Sequence, residues 1–169
     1  MRRPIIGVMG GSKANARTTE MARRLGRLIA ENGWILLNGG RDCGVMAASA
    51  AGAKEIEGSL VVGILPDTTL TKASVHLDIA ILTGMGDGRN LFNVLSSDVV
   101  VACPGKLGTL SEIVLALKHE KRVILLDYDP DSSLGPDLDR ARKRGQMIHA
   151  ATPEEAVEQV RQALALRSA

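Results

Sequence analysis

The sequence predicts an α/β protein, in which helices cover both faces of a doubly wound parallel sheet. Apolar β-forming runs alternate with stretches of helical periodicity over residues 4–167, which is typical of βαβ units. The predicted strands contain continuous apolar runs, as expected when both faces of a parallel sheet are buried. No internal repeat or linker divides residues 1–169, so we expect a single domain.

The first half of the chain supplies four predicted strands. Apolar residues at i, i+4, i+7 and i+8 indicate a helix over 17–32 after the first strand. A second helix, over 45–57, consists of small residues that suit close packing on a sheet. The polar stretch 66–76 is predicted to be a loop. The predicted strands of this half are 4–9, 34–38, 59–65 and 77–82.

The second half continues the alternation. A short helix over 89–95 follows a glycine-rich turn, and a longer helix runs from Thr109 to His119. Turn-forming residues over 128–136 predict a loop. The remaining predicted elements are the strands 98–103, 122–127 and 146–149 and the helices 137–144 and 153–167.

The composition excludes several classes of function. Aromatic residues make up 2 % of the chain, too few for the stacking platforms of single-strand nucleic-acid binders. A solvated helix face explains the basic run 140–144, so we expect no nucleic-acid partner. No apolar run reaches the roughly 20 residues of a membrane span. Cys43 and Cys103 do not form a disulfide framework, and no signal segment is evident, so we expect a cytoplasmic protein without membrane association.

Four glycine-rich turns mark the sheet edge at which a ligand is expected. In a doubly wound sheet the ligand lies beyond the carboxyl ends of the strands. Repeated glycines let backbone N–H groups approach a ligand closely, which an ordinary strand-to-helix turn does not require. Neither G-x-G-x-x-G after the first strand nor a P-loop motif occurs. The turns are GGSK (10–13), GGRDCG (39–44), GMGDGR (84–89) and PGKLGT (104–109).

The last of these turns predicts a phosphate site. Thr109 opens a helix whose first N–H groups and dipole favour an anion, and Lys106 adds a positive charge beside it. Ser12, in the first turn, either binds the ligand or caps the turn that follows it. The candidate ligand-binding residues are Gly11, Ser12, Gly39, Gly40, Gly44, Pro104, Gly105, Lys106, Leu107, Gly108 and Thr109.

Two interpretations of Glu112 are open. Thr109 and Glu112 have the spacing of a capping box, which stabilises a helix start without catalysis. An acid in the first turn, beside a phosphate loop, could equally orient a sugar hydroxyl or a water. Arg89 is open in the same way, because it follows a glycine-rich turn but could be a surface residue. We favour Asp87 as the N-cap of the helix that begins there.

The other reactive side chains have structural explanations. His76, His119 and His149 lack the spacing of metal ligands, so no metal site is predicted. Cys103 ends an apolar strand and is interpreted as a small buried hydrophobe rather than a nucleophile. We predict no cofactor that serves the chain's own chemistry.

Taken together, the motifs resemble those of the Lonely guy family, whose members are often labelled "possible lysine decarboxylase". PGKLGTLSE (104–112) is similar to the family signature P-G-G-x-G-T-x-x-E. GGRDCGVM (39–46) resembles its G-G-G-x-x-G-x-M stretch, and Gly11 and Ser12 its first Gly-Ser. The matches cover most of residues 4–126 in the family's order.

The resemblance implies a Rossmann-like domain that forms a homodimer or a dimer of dimers. The best-known members cleave the N-glycosidic bond of cytokinin nucleoside 5'-monophosphates. By this resemblance 104–109 holds the 5'-phosphate, and Arg89 and Glu112 are the catalytic residues. A carboxylate there would stabilise the oxocarbenium character that develops on the ribose. No site for pyridoxal phosphate is evident, so lysine decarboxylation is not predicted.

Three positions depart from the family pattern. Lys106 replaces a loop glycine, Asn90 a lysine and Ser111 an acid. A lysine at 106 is strained if its φ is positive and otherwise adds a phosphate ligand. The stretches GMGDGRN (84–90) and GTLSEIVLALK (108–118) are more similar to a side branch of the superfamily that includes proteins like the molybdenum-cofactor carrier proteins, which bind a pterin monophosphate and catalyse nothing. We therefore expect a protein that anchors a small ligand by its phosphate, and the leading prediction is nucleoside 5'-monophosphate binding with phosphoribohydrolase activity. The alternative is a non-catalytic carrier or sensor of a nucleotide or pterin.

Overall fold

The computed structural model describes residues 2–130 and 136–167, and its elements follow the predicted order. Part of the predicted loop 128–136 lies outside the described residues. The strands are β1 (Ile5–Met9), β2 (Ile35–Asn38), β3 (Leu60–Leu65), β4 (Ile79–Leu82), β5 (Val99–Ala102), β6 (Val123–Leu126) and β7 (Met147–Ala150). The helices are α1 (Ala16–Glu31), α2 (Gly44–Ala53), α3 (Arg89–Ser96), α4 (Leu107–Lys118), α5 (Pro136–Lys143) and α6 (Pro153–Arg167).

The seven strands form one parallel sheet in the order β4-β3-β2-β1-β5-β6-β7, which confirms the predicted Rossmann-like fold class. The chain winds outward from β1 to one edge and then returns to place β5 on the other side of β1. The strand order therefore reverses between β1 and β5, and this pair is the topological switch point of the sheet.

Aliphatic side chains fill both faces of the sheet. On one face α1, α2 and α6 pack through residues such as Leu25, Val45 and Val160. On the other face α3, α4 and α5 contribute Val94 and Ile113 among others. Each fully buried side chain of this size stabilises the fold by about 1.5–3 kcal/mol relative to exposure. Among the described residues, every helix is too short or too polar to cross a lipid bilayer.

Three local predictions are wrong. The second helix ends at Ala53 rather than at residue 57, because the chain turns through 54–58 to reach β3. Helix α4 begins at Leu107, two residues before Thr109. The four residues of β4 are exposed rather than buried, because β4 is an edge strand that the helices do not cover.

Helices α1 and α2 cross at a point of close backbone contact. A Cβ atom added to Gly26 would lie 1.9 Å from the carbonyl oxygen of Ser49. A Cβ added to Gly52 would lie 1.8 Å from the carbonyl oxygen of Arg23. Because both neighbours are backbone atoms of helices, neither can move away without shifting a whole helix. This crossing sets the position of the turn before α2, which borders the site described below.

We expect Gly26→Ala to lower the free energy of unfolding by about 1–3 kcal/mol, the usual cost of overpacking. Gly88→Ala is the matched control, because a Cβ there would meet its nearest neighbour at 3.6 Å, an ordinary contact. Urea unfolding of both variants measures the difference. Equal stability of the two variants would contradict the tight helix crossing.

Candidate functional site

The carboxyl ends of β1 and β5 open into a cleft of about 290 Å³. Backbone hydrogen bonds join the turns that follow these strands: the Gly11 amide donates to the Pro104 carbonyl at 3.0 Å, and the Val45 amide to the Gly11 carbonyl at 3.0 Å. The turns after β1, β2 and β5 therefore meet at one place, at the switch point where such sheets hold ligands.

The start of α4 forms one end of the cleft. The Leu110 amide donates to the Lys106 carbonyl at 3.0 Å, so the amides of 107–109 precede the first intrahelical hydrogen bond. Such free amides, with the helix dipole, favour an anion. Lys106 has a φ of −107°, so a lysine replaces the family's glycine at this position without strain. Lys106 is exposed and lines the cleft.

Glu112 is not part of a capping box. The N-cap residue of α4 is Lys106, without a side-chain capping bond, and the Glu112 carboxylate accepts a hydrogen bond from Asn93 Nδ2 at 2.8 Å instead. The side chain is 6 % exposed and lines the cleft. Burial raises the pKa of Glu112 to about 7, although the Asn93 hydrogen bond and the charge of Arg89 favour the carboxylate.

Arg89 is the first residue of α3 and lines the same cleft. Its Nε and Nη1 atoms are buried and have no hydrogen-bond partner among the described residues. Burial lowers the pKa of Arg89, and the charge of Glu112 acts in the opposite direction. The guanidinium lies against Gly39, where a Cβ atom would be 2.1 Å from Nη1. Glycine at position 39 therefore makes room for this side chain.

Arg41 forms the wall of the cleft at the end of β2. Its Nε and Nη2 donate to the two carboxylate oxygens of Asp67, at 3.0 and 2.9 Å. Backbone bonds from Asp42 to Lys72 and from Ser74 to Gly40 hold the 66–76 loop against the same turn. The loop predicted from composition is thus tied to the cleft by one ion pair and by main-chain contacts.

Two of the departures from the family pattern contact each other. Asn90 Nδ2 donates to Ser111 Oγ at 2.8 Å, and Ser111 Oγ donates to the Gly108 carbonyl at 2.7 Å. This neutral chain of hydrogen bonds links α3 to the first turn of α4. The residues at these two departures therefore contact each other and hold α3 against the first turn of α4, beside the cleft.

Most of the predicted site residues line the cleft, whereas four of them do not. Leu107 is exposed beside it, and Pro104, Gly40 and Gly44 shape the turns through their backbones. The lining includes these predicted residues: Gly11, Ser12, Gly39, Arg89, Gly105, Lys106, Gly108, Thr109 and Glu112.

Sequence reasoning missed several residues of the site. Asp87 is not the N-cap of α3, a position that Gly88 occupies, and lies instead in a short 3-10 turn on the cleft. Asn93, which contacts Glu112, is not among the predicted site residues, although its i+4 spacing from Arg89 places both side chains on one face of the helix. The other lining residues outside the prediction are Val8, Met9, Gly10, Lys13, Arg41, Met46 and Asn90.

The remaining reactive side chains lie apart from the cleft. Cys103 is buried, and burial raises the pKa of its thiol to about 12, so its interpretation as a small hydrophobe is confirmed. Within the described ranges 2–130 and 136–167, no group of three or more His, Cys, Asp or Glu residues is arranged to hold a metal ion.

These features define a Rossmann-like protein with a cationic, glycine-lined cleft at its topological switch point. The chain belongs to the SLOG cluster4 family, whose model matches residues 3–157. It is 30 % identical over 124 residues to the cytokinin riboside 5'-monophosphate phosphoribohydrolase of Mycobacterium tuberculosis. That match covers 69 % of this chain and 66 % of the enzyme, and it confirms the resemblance to the Lonely guy family.

Two solved structures match over nearly the whole chain. The molybdenum cofactor binding protein of the phototrophic bacterium Rippkaea orientalis is 48 % identical, with a TM-score of 0.87. The molybdenum cofactor carrier protein of Chlamydomonas reinhardtii is 41 % identical, with a TM-score of 0.86. Each match covers 97 % of this chain and 99 % of the other.

The raised pKa of Glu112 predicts a pH-dependent stability. Because the folded pKa of about 7 exceeds the ordinary value of 4.5, the folded chain binds more protons than the unfolded chain between these values. The free energy of unfolding therefore falls as pH rises through this window, by about 3 kcal/mol from this group. Glu112→Gln, which keeps an acceptor for Asn93, should match the wild type below the window and exceed it above the window.

Urea unfolding across the pH range measures this difference. The exposed Glu57→Gln is the control and should leave the pH dependence unchanged. A difference between Glu112→Gln and the wild type that stays constant with pH would show that Glu112 does not titrate in this window.

Proposed function

We propose that this protein binds the molybdenum cofactor, a pterin monophosphate, and carries it without chemical change. The observation that supports this most strongly is the 48 % identity over nearly the full length to a molybdenum cofactor binding protein. The second is the cleft between the ends of β1 and β5, which is lined by Lys106, Arg89 and Arg41 and by the glycine-rich turns. In this proposal the chain supplies a binding surface and a barrier to solvent, and the cofactor is its cargo.

The phosphate of the ligand would lie at the start of α4. The amides of 107–109 provide donors without side-chain entropy cost, and Lys106 provides a mobile charge at the mouth of the cleft. Gly105 lets this turn pack closely on the start of the helix, because an added Cβ would lie 2.0 Å from Thr109 Oγ1. The ring system would then extend toward Gly39 and Met46.

A second candidate function is hydrolysis of a nucleoside 5'-monophosphate to base and ribose 5-phosphate. It rests on the buried Glu112 beside Arg89 in the cleft, and on the 30 % identity to a phosphoribohydrolase. A carboxylate there would stabilise positive charge developing on the ribose. With a pKa of about 7, Glu112 is substantially ionised near neutral pH, so its charge is available for this role.

One titration tests the phosphate anchor. Lys106→Glu should weaken binding of molybdopterin about tenfold or more, because it replaces a charge-assisted hydrogen bond with repulsion. Lys118→Glu, the same change in the last turn of the same helix, is the control and should bind like the wild type. Anaerobic fluorescence titration measures both dissociation constants and the stoichiometry. Failure of the wild type to bind molybdopterin would refute the carrier proposal.

A parallel assay separates the two functions. Wild type and Glu112→Gln are incubated with AMP and with an N6-substituted AMP, and released ribose 5-phosphate is measured. The carrier proposal expects no release by either protein and expects both to bind molybdopterin. Release by the wild type that Glu112→Gln abolishes would instead establish the hydrolase.

A further inference from the structure

The cleft contains a cationic side chain, Arg89, that forms no ion pair with an acidic residue among the described residues. Among the described residues, Arg89 makes no hydrogen bond and no ion pair through its guanidinium, and two of its three nitrogens are sealed from solvent. Buried donors without partners are rare and costly in native proteins, by about 1–3 kcal/mol each. Arg89 is therefore held in an energetically unfavourable position on the wall of the cleft.

The nearby acids are already engaged or lie at the surface. Asp67 gives both carboxylate oxygens to Arg41, and Glu112 accepts from Asn93 without coming within ion-pair distance of Arg89. Asp87 is exposed at the edge of the cleft. Among the described residues, then, no ion pair neutralises the positive charge of the Arg89 guanidinium, and this charge can interact with a ligand.

A second cation stands beside it. Burial is the main cause of the lowered pKa of Arg89, and the charge of Arg41 lowers it further. The guanidinium groups of Arg89 and Arg41 both line the cleft and repel each other. An anion bound between them reduces this repulsion. The two hydrogen bonds to Asp67 fix the guanidinium of Arg41, whereas the buried Nε and Nη1 donors of Arg89 have no partner among the described residues.

The position of these cations separates them from the phosphate end. Arg89 lies against Gly39 at the end of β2, whereas Lys106 and the free amides of α4 follow β5. Strand β1 stands between β2 and β5 in the sheet. The cleft is therefore positively charged at both ends, across one intervening strand.

We propose a second oxyanion subsite at Arg89 and Arg41, so that the ligand carries two acidic groups, one at each end. This rests on the proposed function for the phosphate end. On binding, the guanidinium of Arg89 leaves its place against Gly39 and donates to the second acidic group. A ligand whose phosphate is its only acidic group, such as AMP, leaves Arg89 unpaired, so it binds more weakly than a ligand that carries a second acidic group besides its phosphate.

Side-chain NMR of arginine tests the subsite with inorganic phosphate as the probe. The Arg89 Nε–H signal, assigned by its loss in Arg89→Lys, should shift on titration as this orphan donor gains a partner or a new environment. The Arg17 Nε–H signal, whose donor is paired with Asp127 far along the chain, is the internal control. Backbone amides of Gly108 and Thr109 report the phosphate end in the same samples.

Two variants separate this inference from the proposed function. In Lys106→Glu the response of the Gly108 and Thr109 amides should weaken, while the Arg89 shift persists. In Arg41→Met the Arg89 response should require several-fold more phosphate, while the amide response is unchanged.

Each outcome bears on one end of the cleft. An Arg89 signal that stays fixed while the amides saturate would overturn the second subsite and leave the phosphate anchor standing. Amides that stay fixed while Arg89 responds would overturn the anchor and leave the subsite standing. An Arg89 response that disappears in Lys106→Glu would reduce the two sites to one and overturn the inference.

Discussion

The site depends on the divergence of β1 and β5 at the centre of the sheet. Because the chain leaves these neighbouring parallel strands toward opposite faces, it cannot fill the space between their carboxyl ends. The hydrogen bond from the Gly11 amide to the Pro104 carbonyl fixes the two turns against each other. The residues that line the cleft above that contact come from β1 and the turn after it, from the turn after β2 and α2, from Asp87 and α3, and from the turn after β5 and α4.

Two charged side chains of the cleft, Arg89 and Glu112, form no ion pair with each other, and neutral side chains lie beside them. Asn93 holds the carboxylate of Glu112, and Asn90 and Ser111 join the two helices without charge. Arg89 is left without a partner, and Glu112 is left with a raised pKa. Buried charges kept apart in this way cost stability, which is typical of sites built for a ligand rather than for the fold.

The family relationship and the geometry of the cleft both support a ligand site, but they do not agree on the chemistry that takes place there. By the motif resemblance, Arg89 and Glu112 occupy the positions of the catalytic pair of phosphoribohydrolases, yet the chain is 48 % and 41 % identical, over 97 % of its length, to two molybdenum cofactor proteins. A fold does not by itself define an activity, because the chemistry lies in the site. The neutral Asn90–Ser111 contact is the local feature that distinguishes this cleft from the enzyme pattern.

Sequence alone determined the order of strands and helices, and the turns at which the site would lie. Apolar periodicity and glycine-rich turns are local properties, and they are read without knowing which elements meet. It did not determine that β4 is an exposed edge, or that Glu112 turns away from Thr109 toward Asn93. Those outcomes depend on distant contacts. Tertiary structure alone placed Arg41 and Arg89, 48 residues apart in the chain, on one cleft, because the sheet brings the ends of non-consecutive strands together.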